Sequence, residues 1–598
     1  MGDIYSIVFL RKRAEGRAGK VKMSNYDKYP KTKVAGTCIR GYLGIHNHLQ
    51  EEIKKGKFVL VAETYPGVND EEVIPELKKL NPDLFINMQE LFKDEKTIVN
   101  QLKYNITEDR VFGKMYFGDI IDFIDEEKLS QAKQQVQEND GFALVYGFGA
   151  ALVAEADCLV YLDMARWEIQ QRYRSGMPNY NSSNIDEDVL RKYKRGFFIE
   201  WRIADKHKQK LFDKIDFLLD TNVADDPKMI TGAVLREGLE NISRRPFRTV
   251  PYFDPGVWGG QWMKEVCDLD RSKENFAWSF DGVPEENSLY LDVAGIQVEI
   301  PAMDLVLYKP KNLLGEKVFA RFGAEFPIRF DFLDTMGGQN LSLQVHPLTE
   351  YIRKQFGMAY TQDESYYILD AEEDAIVYLG VKDNINPDEM IAELYKAQEG
   401  EIIFDADKYI NKFPAKKHDH FLIPAGTCHC SGKNAMVLEI SATAYIFTFK
   451  LWDWERLGLD GRPRPVHINH GKKVIQWDRT TDWVKENLIN CTYTVREDEH
   501  VKEEHTGLHE LEFIETRRIW MDAMSEHDTK GTVNVLNLIE GQAAVIESPD
   551  NSFEPFVVHY AETFMIPATV GRYTIRPYGE SENKKIAVIK AYVRGTEN

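Results

Sequence analysis

The sequence predicts a multidomain chain in which an N-terminal α/β domain is followed by two β-barrels, and three observations carry that expectation. At 598 residues the chain is too long for one hydrophobic core and should divide into about three or four domains. Up to about residue 243, short apolar runs ("KFVLVAE", "DGFALVYGFGAALV", "ADCLVYLD") alternate with charged helical stretches ("NDEEVIPELKKL", "EEKLSQAKQQVQ", "MARWEIQQRYRSG"), the alternation of an α/β fold with a mainly parallel sheet. The Pro- and Gly-rich segment "ENISRRPFRTVPYFDPGVWGG" then marks a boundary near residue 245, beyond which short strands separated by Gly, Pro, Asn and Asp read as sandwich or barrel.

Each block is justified in turn. In the β-rich part, "YILDAEEDAIVYLG" followed by "FLIPAGTCHCSG" is echoed by "NLIEGQAAVIES" followed by "FMIPATVGRYTI". Two copies of strand, turn, strand and F-[LM]-I-P-A imply two related barrels, over residues 244–489 and 490–598. Where the first copy has His429, the second has Arg572 and Tyr573, so only the first is expected to hold a metal.

Composition excludes some functions. A formal charge of −21 argues against nucleic acid, whose binding needs clustered Lys and Arg; an anionic substrate needs a local basic patch. Six cysteines without a CxxC pair, and no secretory h-region, fit a reducing, cytoplasmic setting. The longest apolar stretch, "GFALVYGFGAALVAEA", carries Glu155 and falls short of the ~20 residues that span a bilayer, so no membrane helix is expected. "MGDIYS" matches the myristoylation pattern, followed by the basic "RKRAEGRAGKVK", but six-residue patterns recur by chance and no anchor is expected.

The chemistry centres on "NLSLQVHPLTEYIRKQFGMAYTQDESYYIL". Side chains at i and i+2 of a strand share a face, so Gln344 and His346 point one way while Leu343 and Val345 point the other. Glu364 opens the next strand and His429 follows the tight turn "PAGT". Two imidazole nitrogens with amide and carboxylate oxygens form a set suited to Zn²⁺, or to Mn²⁺ or Fe²⁺, with positions left open. Taken singly, each residue is better read as a core histidine or a solvated strand end; four together in a barrel are better read as a site. Cys428 and Cys430 flank His429, should face the opposite way, and read as buried fillers.

"WGG" at Trp258, "FPIRFDFLD", "LSLQVHP", "DESYYIL", "FLIPAGTCHCSG" with "VLEIS", and "WDWERLGLDGRPRPVHI" stand in the order found in the short bacterial class of type I mannose-6-phosphate isomerases, which are cupins (jelly-roll barrels), so residues 250–598 resemble that family. The resemblance implies that Gln344, His346, Glu364 and His429 bind one divalent metal per chain, zinc in the family. It implies interconversion of mannose 6-phosphate and fructose 6-phosphate by proton transfer between C1 and C2 through an enediol, with a sugar phosphate or sugar as partner. Lys450 and Glu364 then fall on catalytic positions, and Trp258, Ser342, Gln362, Lys450, Asp453 and Arg456 on substrate-binding ones. The sequence also departs from the family. Lys450 replaces an active-site arginine and offers a point charge without a planar fork. Gln362 and Asp331 stand where lysines are usual, and Leu348-Thr349 replace an acidic pair. These changes leave the sugar open and weaken the case for a phosphate.

The first block resembles, more faintly, a degenerate P-loop kinase of the nucleoside or uridine kinase kind, with "KFVLVAETYPGVNDEEVIPEL" as strand, phosphate loop and helix, and "EADCLVYLDMARWEIQQRYRSG" carrying Asp163, Arg172 and Arg174. The G-x-x-x-x-G-K-[ST] signature is missing and Asn69, Asp70, Glu71 and Glu72 occupy its place, where like charge repels a triphosphate. No ATP turnover is expected there, and a structural or regulatory role is. Two functions follow: a metal-dependent sugar isomerase with an accessory domain, or a non-catalytic sugar-sensing protein that keeps the metal pocket.

Overall fold

Five runs of the first block form a sheet, β1 (Phe58–Thr64), β2 (Leu84–Asn87), β3 (Phe142–Gly147), β4 (Cys158–Asp163) and β5 (Phe217–Asp220); all but the half-buried edge strand β2 are buried throughout because the sheet is covered on both faces. In the computed structural model, which describes residues 24–442, 447–510 and 512–596, they pair in parallel in the order β2-β3-β1-β4-β5. Two antiparallel strands, Lys228–Thr231 and Cys38–Arg40, extend the β5 edge. The parallel sheet expected from the alternating pattern is therefore present. The myristoylation pattern lies outside the described residues.

Helix α1 (Asp70–Lys78) follows β1 where a phosphate loop would lead. Its amino end is already supplied with negative charge. Asp70 accepts hydrogen bonds from Gln89 and the Tyr146 hydroxyl, and Glu72 from the Tyr42 hydroxyl and the Asp225 amide. Arg172 donates to the Gly67 and Thr221 carbonyls rather than facing an open loop. Beyond β4, the ammonium of Lys208 on α2 (Trp201–Gln209) is buried between Asp163 and Asp304. The strand ends where an open α/β sheet usually takes a ligand are thus filled here by the chain's own ion pairs. Of the kinase-like expectation, the structure shows a doubly wound parallel sheet and no more.

The second block is a barrel of two facing antiparallel sheets. Its strands are β6 (Ile328–Asp334), β7 (Leu343–Val345), β8 (Glu364–Ala371), β9 (Ile376–Val381), β10 (His420–Ile423), β11 (His429–Ser431), β12 (Ala435–Ala442) and β13 (Phe449–Trp452), with helix α3 (Thr349–Phe356) between β7 and β8. One sheet runs β10-β8-β12-β6 and continues through Trp278–Gly282 to Tyr252–Asp254; the other runs from Ile410–Pro414 through β9-β11-β7-β13. The "PAGT" turn needs its glycine: Gly426 has φ +91° and an added Cβ would lie 2.9 Å from the Val474 carbonyl oxygen. Its amide donates to the His346 carbonyl, which ties the turn before β11 to the end of β7.

The third block repeats the two-sheet arrangement with six and four strands. "FMIPATVGRYTI" supplies Thr563–Ile566 and Arg572–Pro577. Its interior is apolar, with Leu536, Leu538, Ile546, Phe564 and Ile575 in one cluster. Arg572, at the position of His429, is exposed, and the buried Tyr573 hydroxyl donates to Asn534.

The blocks are interleaved. Lys31–Val34 pairs in parallel with Ser288–Val293, so a strand near the start completes a sheet from beyond residue 245. Arg248 is buried between Asp281 (3.3 Å) and Glu562 (2.9 Å), joining the two barrels. The 107–118 segment of the α/β domain lies on the first barrel, where the Met115 amide donates to the Phe356 carbonyl at 2.8 Å.

Candidate metal centre

His346, immediately after β7, donates Nδ1–H to the Phe447 carbonyl (3.1 Å), and His429, at the start of β11, donates Nδ1–H to the Thr427 carbonyl (2.8 Å). Each ring is thereby held in the tautomer that leaves Nε2 with a free lone pair. Both lone pairs meet one carboxylate: His346 Nε2 is 3.0 Å from Glu364 Oε2 and His429 Nε2 is 2.7 Å from Oε1. All three side chains are fully buried, and their ligand atoms lie within 4.8 Å of one another. Lone pairs facing a carboxylate at this range require positive charge among them, either protons or a cation. The residues therefore fit a divalent ion. Gln344 is the cross-strand partner of His429, its amide 3.2 Å from His429 Nε2, and a half-turn of that amide presents its oxygen to the same point.

Protons on the rings supply the same positive charge that an ion would. Burial pushes the Glu364 carboxyl up, but the His346 and His429 charges outweigh it and hold it well below the usual range. Burial pulls His346 down, and the Glu364 charge overcomes this and raises it. Gln362, two residues before the ligand carboxylate, donates to Glu364 Oε2 (3.1 Å) and reaches Glu439 (3.5 Å). It thus orients the ligand in the way an outer partner of a metal site does.

The other predicted residues fall into two groups. Lys450 pairs with Gln344 across the β7–β13 ladder, which puts it on the inner face. Burial and the Arg464, Arg456 and Arg110 charges, against Asp453, push its ammonium down to about 7. Ser342 donates to Asp453 (2.9 Å), and Asp453 is ion-paired with Arg456 (2.5 Å) and Arg464 (2.8 Å). These residues fasten β7 to the segment after β13. Trp258 stands apart: it is buried edge-on to Trp278, and no hydrogen bond or ring contact joins it to the four ligand residues among the described residues. Cys428 and Cys430 are buried, their thiols pushed up by burial, and Cys430 pairs with Tyr378, on the face opposite His429.

Three residues escaped the sequence reading. Asp331, in place of a lysine, lies beside Arg329, whose Nε is 3.1 Å from its Oδ1, and opposite Glu439 of β12. Arg329 could have been found from its i, i+2 spacing to Asp331 on β6. Glu439 becomes a neighbour only through strand pairing, and Arg464 only through the turn that returns it to Asp453. Burial, opposed by Arg329, raises Asp331 to about 6; burial, with Asp331 and Glu364, raises Glu439.

Two facing antiparallel sheets enclosing a Gln/His/Glu/His cluster define a β-barrel protein with a metal-type centre, and that cluster is the one group of three or more His, Cys, Asp or Glu with metal spacing among the described residues. The chain is similar to "Mannose-6-phosphate isomerase ManA" of Bacillus subtilis (24% identical over 264 residues, 42% of this chain and 78% of that protein). It is also similar to "Mannose-6-phosphate isomerase" of Streptococcus mutans (26% over 221 residues, 37% and 64%). Among solved structures it overlays on mannose 6-phosphate isomerase from Bacillus subtilis with a TM-score of 0.47 at 16% identity, covering 58% of this chain and all of that one. Residues 41–244 match a family described as a domain of unknown function (DUF8485).

Proposed function

We propose that the protein is a metal-dependent aldose–ketose isomerase, acting on a sugar phosphate of the mannose 6-phosphate and fructose 6-phosphate kind. The observation that carries this reading is the convergence of two tautomer-locked imidazoles, one carboxylate and one amide on a single buried point. Gln344, His346, Glu364 and His429 would hold the ion, with zinc, manganese and iron all suited to the donor set. When bound, it supplies positive charge to the oxygen on which the enediol's negative charge develops.

The chain's own residues carry the rest. Lys450, on the inner face beside Gln344, presents a cation to the same oxygens as a point charge. The proton leaving carbon needs an acceptor with a pKa near neutrality. Asp331, which pairs with Glu439 across β6 and β12 on the face that Glu364 shares and is raised by burial, is the carboxylate we assign to that role, and Arg329 holds it in place. Gln362 keeps Glu364 oriented. Ser342, Asp453 and Arg456 position the strand that carries Gln344 and His346. Arg456 and Arg464, beside Lys450, form the local basic patch that an anionic substrate needs on a chain of charge −21. The similarity to proteins named mannose-6-phosphate isomerases supports the substrate class. The α/β domain is read as an accessory to this site rather than a phosphotransferase, the setting as cytoplasmic, and the third block as a barrel without a metal.

The complete burial of the ligand carboxylate and imidazoles, with lysines replaced by Gln362 and Asp331, favours one second reading, a sugar-binding sensor without turnover. A deuterium-exchange screen of free and phosphorylated aldoses and ketoses in D₂O separates the two. Exchange at C1 or C2 that is abolished by chelator and strongly reduced in Lys450→Ala supports the isomerase. Sugar binding with no exchange and no interconversion across the panel overturns it in favour of the sensor.

A further inference from the structure

We propose that Arg110 and Phe112, carried by the α/β domain, are positioning residues for the metal-centred site of the first barrel, so that this domain braces that site from outside the barrel. The inference rests on the metal reading above and adds what the first block contributes to it.

Phe112 is almost completely buried, and its neighbours belong to the barrel rather than to its own domain. Its ring stacks on Phe447 (centroids 5.8 Å apart, 11° between planes) and packs against Phe356 (5.6 Å), Phe449 (5.2 Å) and His467 (4.6 Å). Phe198, also from the first domain, meets Phe447 from another side at 5.9 Å. Phe447 is the residue whose carbonyl accepts the His346 Nδ1–H bond. That bond selects the tautomer and ring orientation of a ligand, and such outer partners set metal affinity. Two aromatic rings from the α/β domain therefore pack on the side chain of the residue whose carbonyl aims His346.

Arg110 acts through a separate contact. Its guanidinium joins Asp188 of its own domain (2.5 Å) to Asp460 of the barrel (2.9 Å), and Arg462 reaches back to Asp188 (3.6 Å). Asp460 and Arg462 are at the tip of a hairpin closed by the Gly458 amide on the Arg462 carbonyl and by a Leu457–Pro463 bridge. The hairpin's two ends carry Arg456 and Arg464, which hold Asp453 on Ser342, two residues before Gln344. It is entered through Trp454 and Glu455, both left-handed at φ +55° and +57°. That backbone is costly for residues with side chains and persists only where neighbours hold it. The fork of one arginine bridging two carboxylates on different domains is such a hold.

The test uses the full chain, stripped of metal and titrated with Zn²⁺ against a chromophoric chelator. Phe112→Ala should lower zinc affinity by up to about 10-fold, the lower end of what losing an outer partner of a ligand costs, because it loosens that partner without removing it. Phe112→Leu, which keeps much of the volume without the stacking ring, should lose less and keeps the test open if the alanine variant does not fold. Tyr104→Ala, an exposed position of the same domain, should bind as the unaltered protein does. Arg110→Ala should leave zinc affinity within about twofold but speed chymotryptic cleavage after the exposed Leu459 of the hairpin several-fold, with Arg110→Lys restoring protection only in part. Folded Phe112 variants with unaltered affinity, or an Arg110→Ala hairpin cut no faster, overturn the proposal for that residue. An unaltered protein that takes up no zinc overturns the metal reading, and with it the Phe112 half of this one; the proteolysis result still judges Arg110.

Discussion

At the scale of single residues, the centre depends on where two hydrogen atoms sit. His346 and His429 each commit Nδ1–H to a backbone carbonyl, so both Nε2 atoms face Glu364. Replacing either ring by alanine in His346→Ala and His429→Ala is expected to remove the roughly one divalent ion per chain that elemental analysis should find in the purified protein, since a four-donor set short of one imidazole binds weaker by several kcal/mol; undiminished metal in both variants would sink the site. Asp331→Asn tests the proton acceptor. The barrel should keep its metal while solvent exchange at the sugar carbon falls by about 100-fold, the lower end of general acid–base contributions. Gln344, His346, Glu364 and His429 were legible in the sequence because a strand's two-residue period and one tight turn are local facts. Glu439 was not, because its proximity to Asp331 is a property of β6 pairing with β12, at a separation no local pattern spans.

At the scale of elements, α1 shows how a fold can keep a sheet and lose a ligand. A helix amino end attracts phosphate when its amides and dipole are free; here Asp70 and Glu72 stand in that place and are themselves held by Gln89, Tyr146, Tyr42 and the Asp225 amide. The expected outcome is that Mg²⁺ and ATP neither raise the melting temperature of the full chain nor release phosphate above background. Robust Mg²⁺-dependent turnover that disappears in Asp163→Asn would show that the strand ends are open after all. The parallel sheet itself was readable, since strands buried on both faces are continuous apolar runs. The ion pairs that fill its carboxyl edge were not, because Lys208 comes from α2 and Asp304 from a later helix.

At the scale of the whole molecule, contacts between blocks decide stability and its dependence on pH. Glu540 of the third block pairs with Lys417 (2.6 Å) and His418 (3.2 Å) of the second, and the His418 hydrogen bond, with Lys417 helping, lowers its carboxyl to about 2. A carboxyl lowered by folding adds stability above its ordinary value near 4.5 and loses it as pH falls through the folded one. The unaltered protein should therefore melt above Glu540→Gln at pH 6, and the gap should close as pH is taken from about 4.5 toward 2. The pair is more than a third exposed on the Glu540 side, so the gap should correspond to less than about 1 kcal/mol. A gap that persists at pH 2 would mean that the substitution acts through packing instead.

By itself the sequence determined whatever depends on near neighbours. It set out the alternation that makes the first block α/β, the repeat that makes two barrels, the inward pair Gln344 and His346, and the turn that delivers His429. Tertiary structure alone decided what depends on segments far apart in the chain. Lys31–Val34 completes a sheet with Ser288–Val293, Arg248 is shared between barrels, and Phe112 stacks on the ring of Phe447, whose carbonyl aims His346. The physical reason is that periodicity and turn chemistry act over a few residues. A buried aromatic or an ion pair takes its meaning from whatever the folded chain brings within about 6 Å of it.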